Sequence, residues 1–281
     1  MSTLSRRLSL PDGARALLVT ADDFGMCHAS TEGVLDALGA GAATSAGLMV
    51  PAPWAREAAA RSAHRDVGVH LALTAELPRY RWGPVTFAPS LLGGDGGFPA
   101  TVEDLHDHAD PDEVRRECRA QLERAVLLGV DPTHLSVHGG ALFSAPALFD
   151  VVVELALEAR LPLRLPDPID AGSFGFPLHA LADERGVVRP DFVCHSDSGV
   201  LDSPEAFVAS LREGVTELVT RPALETDELR ALAPDADRRI ADLDGLLGYD
   251  ALARAASAAD VLVLGWATLR EAARAAPLGQ R

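Results

Sequence analysis

Two adjacent acids mark the stretch of the chain where the residue types themselves suggest chemistry. Asp22 and Asp23 end the apolar run of residues 17–21 and precede an aromatic residue and a glycine. Buried parallel strands read as continuous apolar runs, so two carboxylates at the downstream end of one are not expected in a core. One carboxylate of such a pair can bind a divalent ion while the other takes a proton from metal-bound water. We interpret the pair as part of a catalytic site rather than as a cap for the helix predicted from residue 30.

Two histidines follow the same pattern at later strand ends. His70 lies near the end of the strand-like run 67–71, and His138 ends the run 133–138. An aspartate with two imidazoles suits a hard or borderline divalent cation and leaves coordination positions open for water and substrate. Each histidine taken alone is equally well explained as a core or turn residue. His134 lies on the same side of its strand as His138, so it either lines the site and binds substrate or bonds a neighbour.

Three later strand ends carry further candidate side chains, namely Arg164, Arg221 and Trp266. Functional residues of parallel barrels gather at the C-terminal ends of the strands, so these groups are expected to converge with the acids on one mouth. Arg164 is interpreted as a substrate contact, with an ordinary surface charge as the alternative.

Strand-like and helix-like runs alternate along the whole chain. We predict strands at residues 15–21, 44–50, 66–73, 133–138, 161–165, 215–220 and 260–265, with a weaker candidate at 191–195. Helical patterns lie at residues 30–40, 53–64, 111–129, 145–160, 203–213, 235–247, 249–258 and 267–275. The alternation predicts one α/β domain over residues 1–281, a (β/α) barrel-type fold with seven or eight mostly parallel strands and outer helices. A doubly wound open sheet is the alternative.

Two segments fall outside this alternation. Residues 1–14 are expected to form a loose N-terminal segment, and residues 74–110 form one long connection with glycines at 93–97 and several aromatic residues, among them Trp82. Long connections in compact domains are usually functional or disordered. We predict a lid whose rings, Trp82 included, stack on a sugar face; a mobile surface loop with partly buried rings explains the composition equally well.

Charge excludes several classes of partner. The 281 residues carry 41 acids against 25 bases, a net charge of −16. Such a field repels nucleic acid and anionic membranes, and no basic block offsets it locally. A neutral or cationic small substrate is therefore expected, with no nucleic-acid and no membrane partner.

Cysteine usage and the apolar runs bear on location. The three cysteines, Cys27, Cys118 and Cys194, have no metal-type spacing, which is typical of reduced thiols in a cytosolic compartment. The N-terminus lacks the apolar region of a secretory signal, and no run approaches the ~20 residues of a membrane span. We predict a cytoplasmic protein. The helix predicted near residues 54–65 could pack in a homodimer or lie on an ordinary surface.

Four segments together resemble the YdjC-like carbohydrate deacetylases. The first consists of Thr-Ala-Asp-Asp-Phe-Gly at residues 20–25 together with residues 32–35 and 44–50, which jointly resemble the opening of the family's sequences. The others are Gly-Val-His-Leu-Ala-Leu-Thr at 68–74, Pro-Thr-His-Leu-Ser-Val-His at 132–138 and Thr-Glu-Leu-Val-Thr-Arg-Pro at 216–222. They occur in the family's order from about residue 15 to the end of the chain, so the resemblance covers nearly all of it.

The resemblance implies a barrel-type fold, a divalent metal such as Mg²⁺ or Zn²⁺, and a hydrolase. The implied reaction removes the acetyl group from an N-acetylglucosamine-type mono- or oligosaccharide by attack of metal-bound water. By position, Asp23, His70 and His138 match the metal ligands, and Asp22 matches the catalytic base. The roles of the two aspartates can also be exchanged.

The chain departs from the family pattern at several positions. Ser136 stands where aspartate is usual, Gly139 and Gly140 replace histidines, and Ala72 replaces asparagine. Arg221 stands where the late motif has the histidine that would protonate the leaving amine. Arginine stays protonated and cannot act as that acid, but it can stabilise an oxyanion, which is the catalytic role expected here.

Other readings stay open at this point. The proton for the leaving amine could come from His134, His195 or Asp22. The chain could also bind a metal and a sugar without turnover. Finally, it could hydrolyse a phosphorylated or another amino-sugar substrate, with Arg164 and Arg221 forming an anion clamp.

Overall fold

The fold is organised around one parallel sheet that curls into a partial barrel. We describe it from a computed structural model, in which residues 2–169, 174–248 and 251–275 are described. The strands are β1 (Arg15–Phe24), β2 (Ser45–Leu48), β3 (Val67–Leu71), β4 (Leu135–Val137), β5 (Phe192–His195), β6 (Gly214–Thr220) and β7 (Leu262–Val263). Their order across the sheet is β4-β3-β2-β1-β6-β5, and β7 also pairs with β1.

The strand order distinguishes a curled sheet from a doubly wound one. Strands β1 to β4 follow one another in chain order, while the late strands β6 and β5 lie on the other side of β1, all parallel. This is the cyclic order of a barrel cut open between β4 and β5. Residues 161–167 run through that gap, since Leu163 bridges Leu135 of β4 and the Val193 amide of β5 donates to Asp167. The barrel-type α/β prediction is confirmed.

Alternation along the strands divides the core in two. Leu17 and Val19 of β1 pack toward the outer helices, whereas Ala16 and Leu18 pack inside the curl with Trp266. Because residues of a strand alternate between faces, the inner face continues through Thr20 to Asp22 at the C-terminal end of β1. The acids therefore sit at the mouth of the curled sheet.

Helices pack around the curled sheet, and the first and last of those described pack against its inner face. They are α1 (Thr3–Arg7), α2 (His28–Gly39), α3 (Ala55–Ala60), α4 (Val102–His108), α5 (Pro111–Leu127), α6 (Pro146–Ala159), α7 (Leu178–Glu184), α8 (Pro204–Ser210), α9 (Asp227–Leu232), α10 (Ala236–Leu247), α11 (Ala251–Ala258) and α12 (Trp266–Ala275). Helix α5 begins as its sequence predicts, because the Asp110 side chain accepts from the Asp112 amide and Pro111 takes the first position. Within the described residues, no helix is both long and apolar enough to cross a membrane.

One predicted strand is shorter in the structure than we expected, and a weaker candidate forms a full strand. The expected strand at 161–165 forms only a one-residue bridge at Leu163, because Pro162 and Pro166 lack the amide donors that a ladder needs. The weaker candidate at 191–195 is a full strand, β5, paired with β6. The first residues, expected to be loose, contain α1, whose Leu4 is 5% exposed and packs inside the sheet with Ala16.

The long connection 74–110 is fastened to α5 by a buried glutamate. Glu117 is 0% exposed and accepts from the amides of Val85 and Thr86 and from the Thr86 hydroxyl. Gln121, one turn further along, donates to Glu117 and bonds both backbone groups of Ala72, just past β3. This connection, which we expected to be a lid or a mobile loop, is thereby tied to the strand that carries His70.

Candidate metal centre and active site

Adjacent residues of a regular strand point to opposite faces, yet both aspartates reach the same histidine. Asp22 Oδ2 lies 3.9 Å from His70 Nδ1, and Asp23 Oδ1 lies 3.8 Å from His70 Nε2. The backbone makes this possible, since Asp23 has a φ of 61° and the pairing of β1 with β2 shifts register between Ala21 and Phe24. Aspartate tolerates this left-handed conformation better than most residues do, and bulges commonly re-aim side chains beside active sites.

Asp23, His70 and His138 form one compact group with metal-ligand chemistry. One donor atom from each lies within 4.8 Å of the others, and all three residues are buried. His70 Nε2 is 3.1 Å from His138 Nδ1, which in turn is 3.5 Å from Asp23 Oδ1. The strand ends of β1, β3 and β4 thus bring together the three residues that we predicted as ligands.

The remaining nitrogen of each imidazole has its own partner. His70 Nδ1 lies 2.8 Å from the Ser136 hydroxyl, and His138 Nε2 lies 3.0 Å from Glu76 Oε2. Such outer contacts fix the ring and its tautomer, leaving the other nitrogen for a metal. His70 Nε2, His138 Nδ1 and Asp23 Oδ1 are therefore the atoms that point at one another.

Asp23 divides its two oxygens between the protein and the group. Oδ2 accepts from Arg239 at 2.7 Å, and Arg239 is itself held by Asp235. Oδ1 is buried without a hydrogen-bond partner in the described part of the chain. A buried, unpartnered carboxylate oxygen facing two imidazole nitrogens fits a divalent cation, because burying it uncompensated is costly.

Asp22 is anchored to the interior of the curled sheet. Its Oδ2 accepts from Arg164 at 2.5 Å, and Arg164 makes two further bonds, of 2.6 and 3.0 Å, to Glu217. Glu217 also accepts from the Thr20 hydroxyl and the Trp266 indole. Asp22 Oδ1, like Asp23 Oδ1, is buried without a partner among the described residues, and a Cβ on Gly47 would lie only 2.6 Å from it.

These surroundings keep both aspartates ionised. Burial alone would raise the pKa of Asp22, but Arg164 and then His70 lower it below its usual value. Burial likewise opposes the change at Asp23, where Arg239 and His138 hold the pKa well below the usual range. Both side chains are therefore ionised carboxylates at neutral pH.

The two histidines titrate in opposite directions. Burial lowers the pKa of His70 to about 4, despite the neighbouring aspartates. Burial also opposes protonation of His138, but the neighbouring carboxylates of Asp23 and Glu76 raise its pKa to about 10. A cation bound at His138 Nδ1 would displace that proton, as metal binding to histidine requires.

The other predicted site residues lie in different surroundings. Arg164 is buried beneath Asp22 in the ion pair already described, and is 7% exposed. His134 is 0% exposed, stacks on Trp266 with ring centroids 4.4 Å apart, and bonds the Thr133 hydroxyl. The structure thus places His134 inside the curl, one layer below the mouth.

Trp82 and Arg221 lie closer to the mouth. Trp82 is 3% exposed, donates to the Thr74 carbonyl, and makes a T-shaped contact with the His138 ring at 6.1 Å between centroids. The Arg221 side chain is 39% exposed and lies 3.6 Å from Asp235, which also holds Arg239. The Asp235 carboxylate therefore links Arg221 to Arg239, the arginine that contacts Asp23.

Three residues in the hydrogen-bond network around the aspartates and histidines were not predicted from the sequence. Glu76 has the signal of an acid just past the end of β3, but it lies within the long connection 74–110. Glu217 lies mid-strand in β6 with 0% exposure, and such an acid in an apolar run signals a buried partner. Arg239 carries no local signal, because it lies on α10 among other charged residues.

Comparison with known proteins agrees with the motifs. A family model described as YdjC-like protein matches residues 16–257. The chain belongs to the YdjC-like family. A protein of Thermus thermophilus named carbohydrate deacetylase is 37% identical over 247 residues, covering 85% of this chain and 88% of that protein. A carbohydrate deacetylase of Brevibacillus brevis is 30% identical, with 81% and 89% covered.

Two further matches are more distant. A chitooligosaccharide deacetylase of Yersinia pestis is 29% identical over 64% of this YdjC-like chain and 81% of its own length. A crystal structure from Enterococcus faecalis V583, of a protein named for cellobiose-phosphate cleavage, superposes with a TM-score of 0.78 over 91% of this chain and 99% of that one. At 24% identity, this last match speaks for the fold alone.

Proposed function

We propose that this chain is a metal-dependent hydrolase that removes the acetyl group from an N-acetylglucosamine-type mono- or oligosaccharide. The observation that carries the proposal is the buried group of Asp23, His70 and His138, which has an unpartnered carboxylate oxygen, among the described residues, facing two imidazoles. The names of the most similar relatives support the sugar deacetylase chemistry.

A divalent ion, Mg²⁺ or Zn²⁺, would be held by Asp23 Oδ1, His70 Nε2 and His138 Nδ1. When bound, it would polarise the acetyl carbonyl and acidify the attacking water. Arg239 holds Asp23 in place through the other oxygen, at 2.7 Å. Three protein ligands leave room for water and substrate.

Asp22 acts as the general base. Arg164 occupies its Oδ2, so the oxygen that accepts the proton of the attacking water is Oδ1, which has no partner within the described residues. The same arginine fixes the rotamer of the carboxylate, so Oδ1 keeps one direction at the mouth. General bases positioned in this way contribute about 10²- to 10⁴-fold to rate.

The leaving amine takes its proton from His195. This residue ends β5, and its register partner on β6 is Val219, whose own partner on β1 is Thr20. Paired residues in parallel strands share a face, so His195 lies on the same inner face and at the same mouth as Asp22. Arg221 cannot release a proton, and we assign it to stabilising the charge that develops on the acetyl oxygen.

An alternative use of the arginines as an anion clamp has little support. Arg164 already donates to both Asp22 and Glu217 and is 7% exposed, so it has no free face for a phosphate. A neutral or cationic sugar also suits the net charge of −16. A cytoplasmic location and a homodimer remain predictions from the sequence.

The test is acetate release from N-acetylglucosamine and N,N′-diacetylchitobiose by metal-stripped protein, before and after addition of Zn²⁺ or Mg²⁺. We expect acetate only after an ion is added, and none from a His70→Ala variant under the same conditions. Equal release with and without metal would refute metal dependence. Sugar binding with no release under any condition would instead favour a non-catalytic binder.

A further inference from the structure

The outer contacts of the two imidazoles differ in a way that the proposed reaction does not explain. His70 rests on a neutral hydroxyl, Ser136 Oγ, at 2.8 Å, whereas His138 rests on a carboxylate, Glu76 Oε2, at 3.0 Å. We propose that Glu76 is a positioning residue that orients His138 and strengthens its hold on the metal. The inference rests on the metal site of the proposed function.

Geometry determines which nitrogen Glu76 leaves free. His138 has one nitrogen, Nδ1, near Asp23 Oδ1 and His70 Nε2, and the other, Nε2, on Glu76. With Nε2 protonated to donate to the carboxylate, the lone pair lies on Nδ1 and points into the metal group. A charged acceptor also makes the imidazole a more basic ligand than a hydroxyl does.

The backbone around Glu76 is held independently of its side chain. The Ala75 amide donates to the Pro99 carbonyl at 2.8 Å, and the Thr74 carbonyl accepts from the Trp82 indole at 2.8 Å. The Glu76 side chain itself is 42% exposed. Substituting Glu76 should therefore alter His138 without unfolding the segment that carries it.

Charge balance supports the same role. Asp23 already shares its second oxygen with Arg239, so its negative charge is partly neutralised from outside the group. Ser136 adds no charge behind His70. Within the described residues, Glu76 is thus the one carboxylate within hydrogen-bond distance of the outer nitrogen of a predicted imidazole ligand, since Asp22 Oδ2 lies 3.9 Å from His70 Nδ1.

The experiment measures Zn²⁺ affinity of the full-length apo-protein by competition with a chromophoric chelator. Glu76→Ala should weaken Zn²⁺ binding about 10- to 100-fold, the usual effect of losing such an outer partner. Glu76→Gln keeps an acceptor without the charge, and should bind with intermediate affinity. Ser136→Ala should weaken Zn²⁺ binding less than Glu76→Ala does.

Glu123→Gln, on the exposed face of α5, is the matched control for loss of a negative charge and should bind Zn²⁺ like the wild type. The unfolding midpoint of each apo-variant should stay at the wild-type value, which separates orientation of a ligand from damage to the fold. A second readout is the visible absorption of bound Co²⁺, which should change in Glu76→Ala and stay unchanged in the control.

The outcomes separate this inference from the proposed function. Wild-type Zn²⁺ binding with equal affinity in Glu76→Ala would overturn the role of Glu76 and leave the deacetylase proposal standing. Absence of Zn²⁺ binding in the wild type would overturn both. A graded loss from wild type through Glu76→Gln to Glu76→Ala is the result that we expect.

Discussion

Asp22 and Asp23 are neighbours in sequence but belong to two different regions of the molecule. Asp22 is tied through Arg164 and Glu217 to the buried interior of the curled sheet. Asp23 faces two imidazoles at the mouth and is braced from outside the sheet by Arg239 of α10. Each gives one oxygen to an arginine, and neither second oxygen has a partner in the described part of the chain.

These different surroundings suit the two acids of one motif to different roles. A carboxylate fixed to the interior by a buried ion pair keeps its direction whatever happens at the mouth, which suits a base. A carboxylate aimed at two nitrogen ligands suits a cation. In the function that we propose, these surroundings, rather than the aspartates themselves, distinguish the two roles that the sequence alone left exchangeable.

Removing Arg164, which bonds Asp22, should lower the free energy of unfolding more than any other substitution that we propose. Arg164→Met leaves Asp22 and Glu217 buried without their cation, and breaking a buried pair in this way costs about 3–5 kcal/mol. The free energy of unfolding, measured in urea, should fall by that amount.

The surface pair of Arg230 with Asp237 provides the control, because its side chains are 46% and 89% exposed. Arg230→Met should leave the urea midpoint close to wild type. A similar loss in both variants would mean that the buried network carries no special weight.

A methyl group beside Asp22 should disturb the base without removing any charge. In Gly47→Ala the new Cβ would lie 2.6 Å from Asp22 Oδ1, so the carboxylate must move. A misplacement of about 1 Å can cost roughly 100-fold in rate, and we expect that loss in acetate release. Gly39→Ala, whose new Cβ would meet no heavy atom within 4 Å beyond its chain neighbours and its own helix backbone, is the matched control. Full activity in Gly47→Ala would contradict the direction assigned to Oδ1.

The smallest effect is expected deeper in the same network. Trp266→Phe keeps a ring against His134 but removes the indole donor to Thr20 and Glu217. We expect a loss of about 1–2 kcal/mol in unfolding free energy, as for other unpaired buried groups. Zn²⁺ affinity should not change, because the group of Asp23, His70 and His138 does not contact Trp266. A clear loss of Zn²⁺ affinity would show that the two regions are coupled.

The sequence predicted much of the fold and the three residues, Asp23, His70 and His138, that the structure brings together. Strand-like runs predicted β1, β3 and β6, and polar residues at strand ends predicted the mouth. The proline-flanked run at 161–165 was overestimated because apolar content says nothing about missing amide donors. Strand β5 was underestimated because its edge position leaves it a weaker apolar pattern.

The outer contacts were beyond prediction from the sequence. That Arg164 would be buried, and that Arg239 of α10 would reach Asp23, depends on how distant elements pack. The left-handed turn at Asp23, with its φ of 61°, likewise has no signature apart from the residue type itself. Without that turn, a regular strand would point the two acids to opposite faces.

The most direct test of this division is metal content and acetate release measured on the same preparations of Asp22→Asn and Asp23→Asn. We predict that Asp22→Asn retains bound Zn²⁺ while acetate release falls at least about 100-fold. Asp23→Asn should lose the Zn²⁺ itself. An Asp22→Asn protein that loses Zn²⁺, beside an Asp23→Asn protein that keeps it, would contradict the account.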